Sequence, residues 1–153
     1  MVRCGIGLYG LNPWDDREYS QYQLKPAMRA VAQVVNLKRV LAGQGVSYGY
    51  RYRTSQETTL ALVPFGYSEG MPRIAVGAKV LIAGKLFEIS GRVAMDQFVV
   101  DVGDHDVALG SEVVIFGDPA NGEPSAEALG ESAGTINYEI VTRIGGRAKR
   151  VYL

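Results

Sequence analysis

Three short segments of this 153-residue chain set reactive or cationic side chains among glycines. They are Ser47-Tyr48-Gly49, preceded by Gly43 and Gly45; Gly66-Tyr67-Ser68-Glu69-Gly70, closed by Met71-Pro72-Arg73; and Gly91-Arg92-Val93-Ala94-Met95-Asp96-Gln97. Flanking glycines leave room around Tyr48, so its ring can project from a loop tip. A tyrosine hydroxyl ionises near pH ~10 and acts as a base only where nearby positive charge lowers that value. The competing reading of Tyr48 is a turn aromatic packed on the end of a β domain. Asp96 reads equally as a turn cap bonded to its own backbone. Taken singly, each segment is a hairpin connection. Taken together, they place Tyr48, Tyr67, Arg92 and Met95 at strand ends, where they could line one mouth.

Other groups that invite chemistry carry less. Asp101, Asp104, His105 and Asp106 lack the glycine and terminal glutamate of a calcium loop, and one histidine is poor evidence for a transition metal; no metal is expected. Gly5 and Gly7 follow no predicted strand and lack the third glycine of a dinucleotide fingerprint. Cys4 has no neighbour that implies activation and is expected to be a buried or inert thiol. As the only cysteine it excludes an intrachain disulfide and any multi-thiolate zinc site, and a reducing compartment suits it.

These loops need a scaffold, and the rest of the chain supplies a β-rich one. At 47% hydrophobic and 21% charged, the chain has enough apolar material for one core. Sixteen basic residues balance sixteen acidic ones, which argues against a general nucleic-acid or anionic-membrane binder. No apolar stretch nears the ~20 residues of a membrane span, and the start shows no secretory signal, so a cytoplasmic location is expected. Short β-branched runs at Thr58–Val63, Lys79–Ala83, Leu86–Ser90, Gln97–Val102 and Glu112–Phe116 alternate with Gly or Pro. Gly84-Lys85 reads as a two-residue hairpin turn, and Ala27–Leu41 as one long, bulged strand. Residues 1–25 read as irregular, with Asp15-Asp16-Arg17-Glu18 a solvated loop. Near the end, Ser125 reads as the cap of a short helix, and Thr135 as the cap of a second carrying Ile136, Ile140 and Ile144. The expected fold is mainly β, barrel or sandwich-like, with two short helices near the C-terminus.

In series the motifs resemble those of alanine racemase. Val2-Arg3-x-Gly5-Ile6-x-Leu8-Tyr9-Gly10 leads the three loops, and Thr135-Ile136-Asn137-Tyr138-Glu139 and Arg147-x-x-Arg150-x-Tyr152 follow them. Each motif is weak alone; the first five in order over nearly the whole chain are specific, and the ending also fits. The resemblance is to the family's C-terminal β domain, expected over 26–153, preceded by a remnant of the barrel end and linker over 1–25 that includes the last barrel strand. It implies a pyridoxal-phosphate enzyme interconverting L- and D-alanine, which supplies D-alanine for peptidoglycan, built as a homodimer with a shared active site. By resemblance, Arg3 faces the cofactor's pyridine nitrogen. Gly5 and Ile6 approach its phosphate through their backbones, and Tyr138 through its hydroxyl. Tyr48 is the catalytic base on one face of the substrate. Met95, Tyr67, Arg73 and Arg92 line the substrate entry and carboxylate region, and Tyr48, Tyr67 and Met95 serve the partner's site.

The chain departs from the family in places. Cys4 stands where proline or another residue is usual, Ala94 where cysteine is frequent, and Glu69 where aspartate is commoner; none of these is expected to touch the chemistry. The larger departure is the absence of the family's Schiff-base lysine segment, Lys-Ala-Asn-Ala-Tyr-Gly. Lys25, Lys38, Lys79, Lys85 and Lys149 lie in unrelated contexts. The chain alone is therefore expected to be inactive and to hold no cofactor tightly, as if the barrel had been removed. The alternatives are an isolated non-catalytic β domain, or part of a broader-specificity racemase or decarboxylase of similar build.

Overall fold

In Phe98–Gly103 the side chains of Phe98, Val100 and Val102 point inward and are buried, while Val99 and Asp101 face the other way, as a period of two requires. That strand is one of nine that the computed structural model contains over the residues it describes, 1–14, 22–75 and 77–152. In chain order they are β1 (Ala30–Gln33), β2 (Asn36–Val40), β3 (Gly45–Val46), β4 (Tyr52–Arg53), β5 (Thr58–Val63), β6 (Lys79–Ile82), β7 (Lys85–Glu88), β8 (Phe98–Gly103) and β9 (Glu112–Phe116). Two helices follow, α1 (Ala126–Ser132) and α2 (Asn137–Arg143).

All strand pairing is antiparallel, in sheets ordered β1-β9-β6-β7 and β2-β5-β8, with β3-β4 as a separate ribbon. The two larger sheets join at both sides. On one side the Val34 N–H donates to the Ser111 carbonyl at 2.9 Å and the Val35 N–H to the Leu62 carbonyl at 3.0 Å. On the other, Ile89 bridges Val100 and the Ser90 N–H donates to the Val99 carbonyl at 2.8 Å. The pairings therefore run around a small barrel, which protects most of its edges. Its core holds Phe98, Phe116, Ile82, Ile115 and several valines, each worth ~1.5–3 kcal/mol of transfer free energy when removed from water.

The mainly β architecture and the late helices match the sequence reading, with four differences of detail. The single strand expected over Ala27–Leu41 is two, β1 and β2, because the chain changes sheets at Val34–Val35. The β6–β7 turn is Ala83-Gly84, one residue earlier than Gly84-Lys85. Both turn residues have positive φ, 47° and 77°, and Ile82 pairs with Lys85, the turn handedness that suits twisted strands. Ser125 caps α1 by accepting the Ala128 N–H at 3.0 Å, as expected, but the cap position of α2 is Ile136 and not Thr135. The Thr135 hydroxyl donates instead to the Glu139 carboxylate.

The fourth difference lies at the start. Where a barrel strand was expected, Gly5–Tyr9 forms a 3-10 helix. A strand needs a paired neighbour, whereas a 3-10 turn satisfies its backbone locally: the Gly10 N–H donates to the Gly7 carbonyl at 3.1 Å. Ile6 and Leu11 enter the common core, and the Ala27 N–H donates to the Tyr9 carbonyl at 2.9 Å. The Asp15-Asp16-Arg17-Glu18 run lies outside the described residues.

Candidate functional site

Tyr48 opens a 3-10 turn, Tyr48–Tyr50, between β3 and β4. Its side chain is not packed on the barrel end; the residue is 68% exposed. The backbone around it is unusual. Ser47 has φ 57° and ψ −170°, a region that side chains disfavour, and Tyr50 also has a positive φ, 46°. Two contacts hold this shape. The Ser47 hydroxyl donates to the Arg92 carbonyl at 2.7 Å, and an Arg92 guanidinium nitrogen lies 3.5 Å from where a Cβ on Gly49 would be. Arg92 thus lies beside the turn that carries Tyr48.

The second and third loops are sewn together through their backbones. The Tyr67 N–H donates to the Ala94 carbonyl at 3.1 Å, and the Ser68 N–H to the Met95 carbonyl at 2.9 Å. Gly66 is obligatory here: a Cβ would stand 2.1 Å from the Met95 carbonyl oxygen. Met95 remains 55% exposed, so its backbone is clamped while its side chain is free to meet a substrate or partner. A cleft of about 540 Å³ opens at this end, with Tyr48, Tyr50, Ala94 and Gln97 in its wall.

Beneath these loops lies a group that sequence reasoning had dismissed. The Glu69 side chain is only 4% exposed. One carboxylate oxygen accepts the Gly66 N–H at 2.8 Å; the other accepts the Ser68 hydroxyl at 2.8 Å and Arg147 Nε at 2.7 Å. Arg147 also donates to Asp96 at 2.8 Å, next to Met95. Burial pushes the Glu69 carboxyl up, but the Gly66 N–H, Arg147 and Ser68 outweigh it and hold the group below its ordinary value. A glutamate three residues after a glycine was visible in the sequence. Its partner 78 positions away was not.

The remaining expected site residues fall in two places. Arg73 is exposed on the turn after Pro72, just beyond loop 66–71. Gly5 lies against α2: a Cβ there would be 3.9 Å from the Tyr138 hydroxyl. The Ile6 side chain is buried, which leaves its backbone as the part that a ligand could reach. Arg3 is exposed on the same segment. Asn137 ties this corner down by donating to the Asn12 carbonyl at 2.8 Å and to Glu127 at 2.9 Å. Helix α2 joins the two regions. Tyr138 is in its first turn, and the Gly145 N–H just past its end donates to the Glu69 carbonyl at 3.1 Å.

The acidic cluster expected to be a solvated turn is partly structural. Asp101 accepts from the Tyr52 hydroxyl at 2.6 Å, from the Thr58 hydroxyl, and from the Gly103 N–H at 3.0 Å. Burial and then the Asp101 hydrogen bond push the Tyr52 hydroxyl up to about 12, so Tyr52 is a brace for β4 and not a base. Asp104 pairs with Arg39 at 2.5 Å. Cys4 is exposed, so of the buried or inert thiol expected the burial is not found. Among the described residues no helix is long and apolar enough to cross a membrane.

Comparison with known proteins gives the family. The family model "Alanine racemase, C-terminal domain" matches residues 27–152. An alanine racemase of Thermobifida fusca is 51% identical over 153 residues, which is 99% of this chain and 40% of that protein. One of Frankia casuarinae is 49% identical over 155 residues, 100% of this chain and 40% of its own. The crystal structure of alanine racemase from D-cycloserine producing Streptomyces lavendulae superposes with a TM-score of 0.92 at 53% identity, covering 95% of this chain and 39% of that one. The Bacillus anthracis alanine racemase with bound L-Ala-P superposes with a TM-score of 0.89 at 38% identity, over 97% of this chain and 38% of its own. The chain thus spans about two fifths of the length of the relatives it matches.

Proposed function

The chain belongs to the alanine racemase family, as its C-terminal domain, and on that premise we propose that it supplies one face of the active site of a pyridoxal-phosphate-dependent racemase interconverting L- and D-alanine. Residues 26–153 are read as the domain itself and 1–25 as the barrel end and linker. The observation that carries the proposal is the sewn mouth: Tyr48 projects from a strained turn beside Arg92, on the same scaffold as Tyr67 and Met95. Strain held in place by tertiary contacts is a feature of working sites.

The residues of the other corner fit the cofactor. The open space at Gly5 faces the Tyr138 hydroxyl, which is the small, donor-lined cradle that a phosphate takes. Gly5, Ile6 and Tyr138 would hold the phosphate, and Arg3 the ring nitrogen. An arginine is always a donor, so the nitrogen it faces must accept and is therefore unprotonated. When bound, pyridoxal phosphate supplies a sink for the electron pair left at the substrate's α-carbon. Tyr48 removes or returns the α-proton at one face through its hydroxyl. Arg92 adds positive charge to the region that takes the substrate's carboxylate. Tyr67, Arg73 and Met95 set the width and charge of the entry.

The second base, a lysine, has no counterpart here. All five lysines are exposed, and none is among the candidate residues of either corner. The working enzyme is read as a cytoplasmic homodimer in which Tyr48, Tyr67 and Met95 reach into the partner's site, supported by the outward projection of Tyr48 and Met95. The test compares the complete protein with the purified 153-residue chain. The complete protein should convert L-alanine to D-alanine at micromolar cofactor. The chain alone should do neither that nor bind cofactor saturably. Turnover by the chain alone would overturn the assignment of the missing lysine.

A further inference from the structure

We infer that Glu69 is a positioning residue for the racemase mouth, its buried carboxylate fixing at once the two loops that present Tyr67 and Met95. The inference rests on the racemase reading above and goes beyond it, because Glu69 touches neither substrate nor cofactor in that reading. Four observations carry it. The carboxylate is buried, and it accepts directly from its own loop and from Arg147, in a distant stretch of chain. Through the Gly66 N–H it closes its own loop at the residue before Tyr67. Through Arg147 it engages Asp96, the residue after Met95, and the Ser68 hydroxyl also reaches Asp96 at 3.2 Å. Through its carbonyl and the Gly145 N–H it is tied to the end of α2, the helix that carries Tyr138.

The chemistry of the link explains its use. A carboxylate can accept from several donors at once, and a guanidinium can span two acids in one plane. The pair therefore holds loops that no regular strand pairing holds. A displacement of either loop by a fraction of an ångström would reach the substrate through Tyr67 or Met95, which are read as lining the entry and not as touching the reacting atoms, so it is felt in binding. Glu69 thus acts on substrate fit more than on proton transfer.

The test uses the complete enzyme with Glu69→Gln, Glu69→Asp and Asp96→Asn, and with fluorotyrosine incorporated to resolve Tyr67 from Tyr48 by fluorine NMR. Glu69→Gln should raise KM for alanine about tenfold and change kcat by no more than about twofold. The Tyr67 resonance should shift while that of Tyr48 stays. Glu69→Asp, which keeps the charge for Arg147, should return KM to within about threefold of the native value. If Glu69→Gln does not fold, Asp96→Asn carries the test: its side chain is half-exposed, and it should raise KM several-fold with an unchanged melting temperature. An unchanged KM with an unmoved Tyr67 resonance, whatever the loss of stability, would overturn the inference. Should the native protein fail to racemise alanine, the racemase reading falls, and the Tyr67 resonance alone then decides whether Glu69 positions this loop.

Discussion

Two loops offer a tyrosine at the same end of the barrel, and they are held in opposite ways. The Tyr48 turn is held by backbone geometry: a strained Ser47, one hydroxyl–carbonyl bond to Arg92, and a brace at Tyr52. The Tyr67 loop adds charge to its backbone bonds with Ala94 and Met95: a buried carboxylate at its base and an arginine from the far end of the chain. The first arrangement leaves Tyr48 well exposed, and the second leaves Tyr67 at 38%. The Tyr48 turn, proposed to aim a proton-transferring group, is fixed mainly by local conformation, which mild acid does not alter. The Tyr67 loop, proposed to shape the entry, is fixed in part by a buried ion pair, which acid weakens. The difference separates aim from fit.

The largest effect should come from removing the hydroxyl that is aimed. In the complete enzyme Tyr48→Phe should slow racemisation by ~10²–10⁴-fold while cofactor binding survives. Steady-state rates in both directions measure it, and the deficit should be heavier where Tyr48 takes the α-proton. Native turnover by this variant would take Tyr48 out of the mechanism.

Removing the charge that holds the other loop comes next. Glu69→Ala leaves the Gly66 N–H and Arg147 without their carboxylate. The cost should be about 2–3 kcal/mol, below the usual toll for a buried pair because Arg147 can turn to water. Urea denaturation reads this as a lower midpoint at constant slope. A loss under about 0.5 kcal/mol would make the pair ornamental.

Acid should find the same difference. The folded-state Glu69 carboxyl titrates below its ordinary value of 4.5. Its contribution is therefore fully present above that value and is lost as pH falls through the lowered one. Native stability should drop more steeply below about pH 4.5 than that of Glu69→Gln. Parallel curves would show that the carboxyl is not held low. Ser47→Ala, by contrast, should show no extra acid sensitivity.

The smallest effects test whether strain holds the Tyr48 turn. Ser47→Ala loses the bond to Arg92 and keeps the strain, so it should cost ~1 kcal/mol. Ser47→Gly loses the same bond but releases the strain, so it should be close to neutral. Equal losses from both would mean that the backbone at Ser47 stores nothing.

How much of this was legible in advance depended on the range of the interaction. Thr58–Val63 and Glu112–Phe116 were read with their observed limits, since β-branched runs bounded by turn residues report local conformation. The hairpin turn slipped by one residue because glycine tolerates either turn position, and only the pairing of Ile82 with Lys85 chooses between them. The long strand over Ala27–Leu41 read as one because nothing local marks a change of sheet.

From its residues alone this chain determined its family, its β character, its helical end and the three loops that carry Tyr48, Tyr67 and Met95. Those are properties of short windows and of their order. Only the tertiary structure decided that Ser47 is strained, that Gly5 faces Tyr138, and that Glu69 is a hub rather than a neutral replacement. Each depends on atoms brought together from distant positions. A buried carboxylate is stable only where folding delivers its donors, and one of the three that Glu69 needs comes from Arg147, 78 residues away.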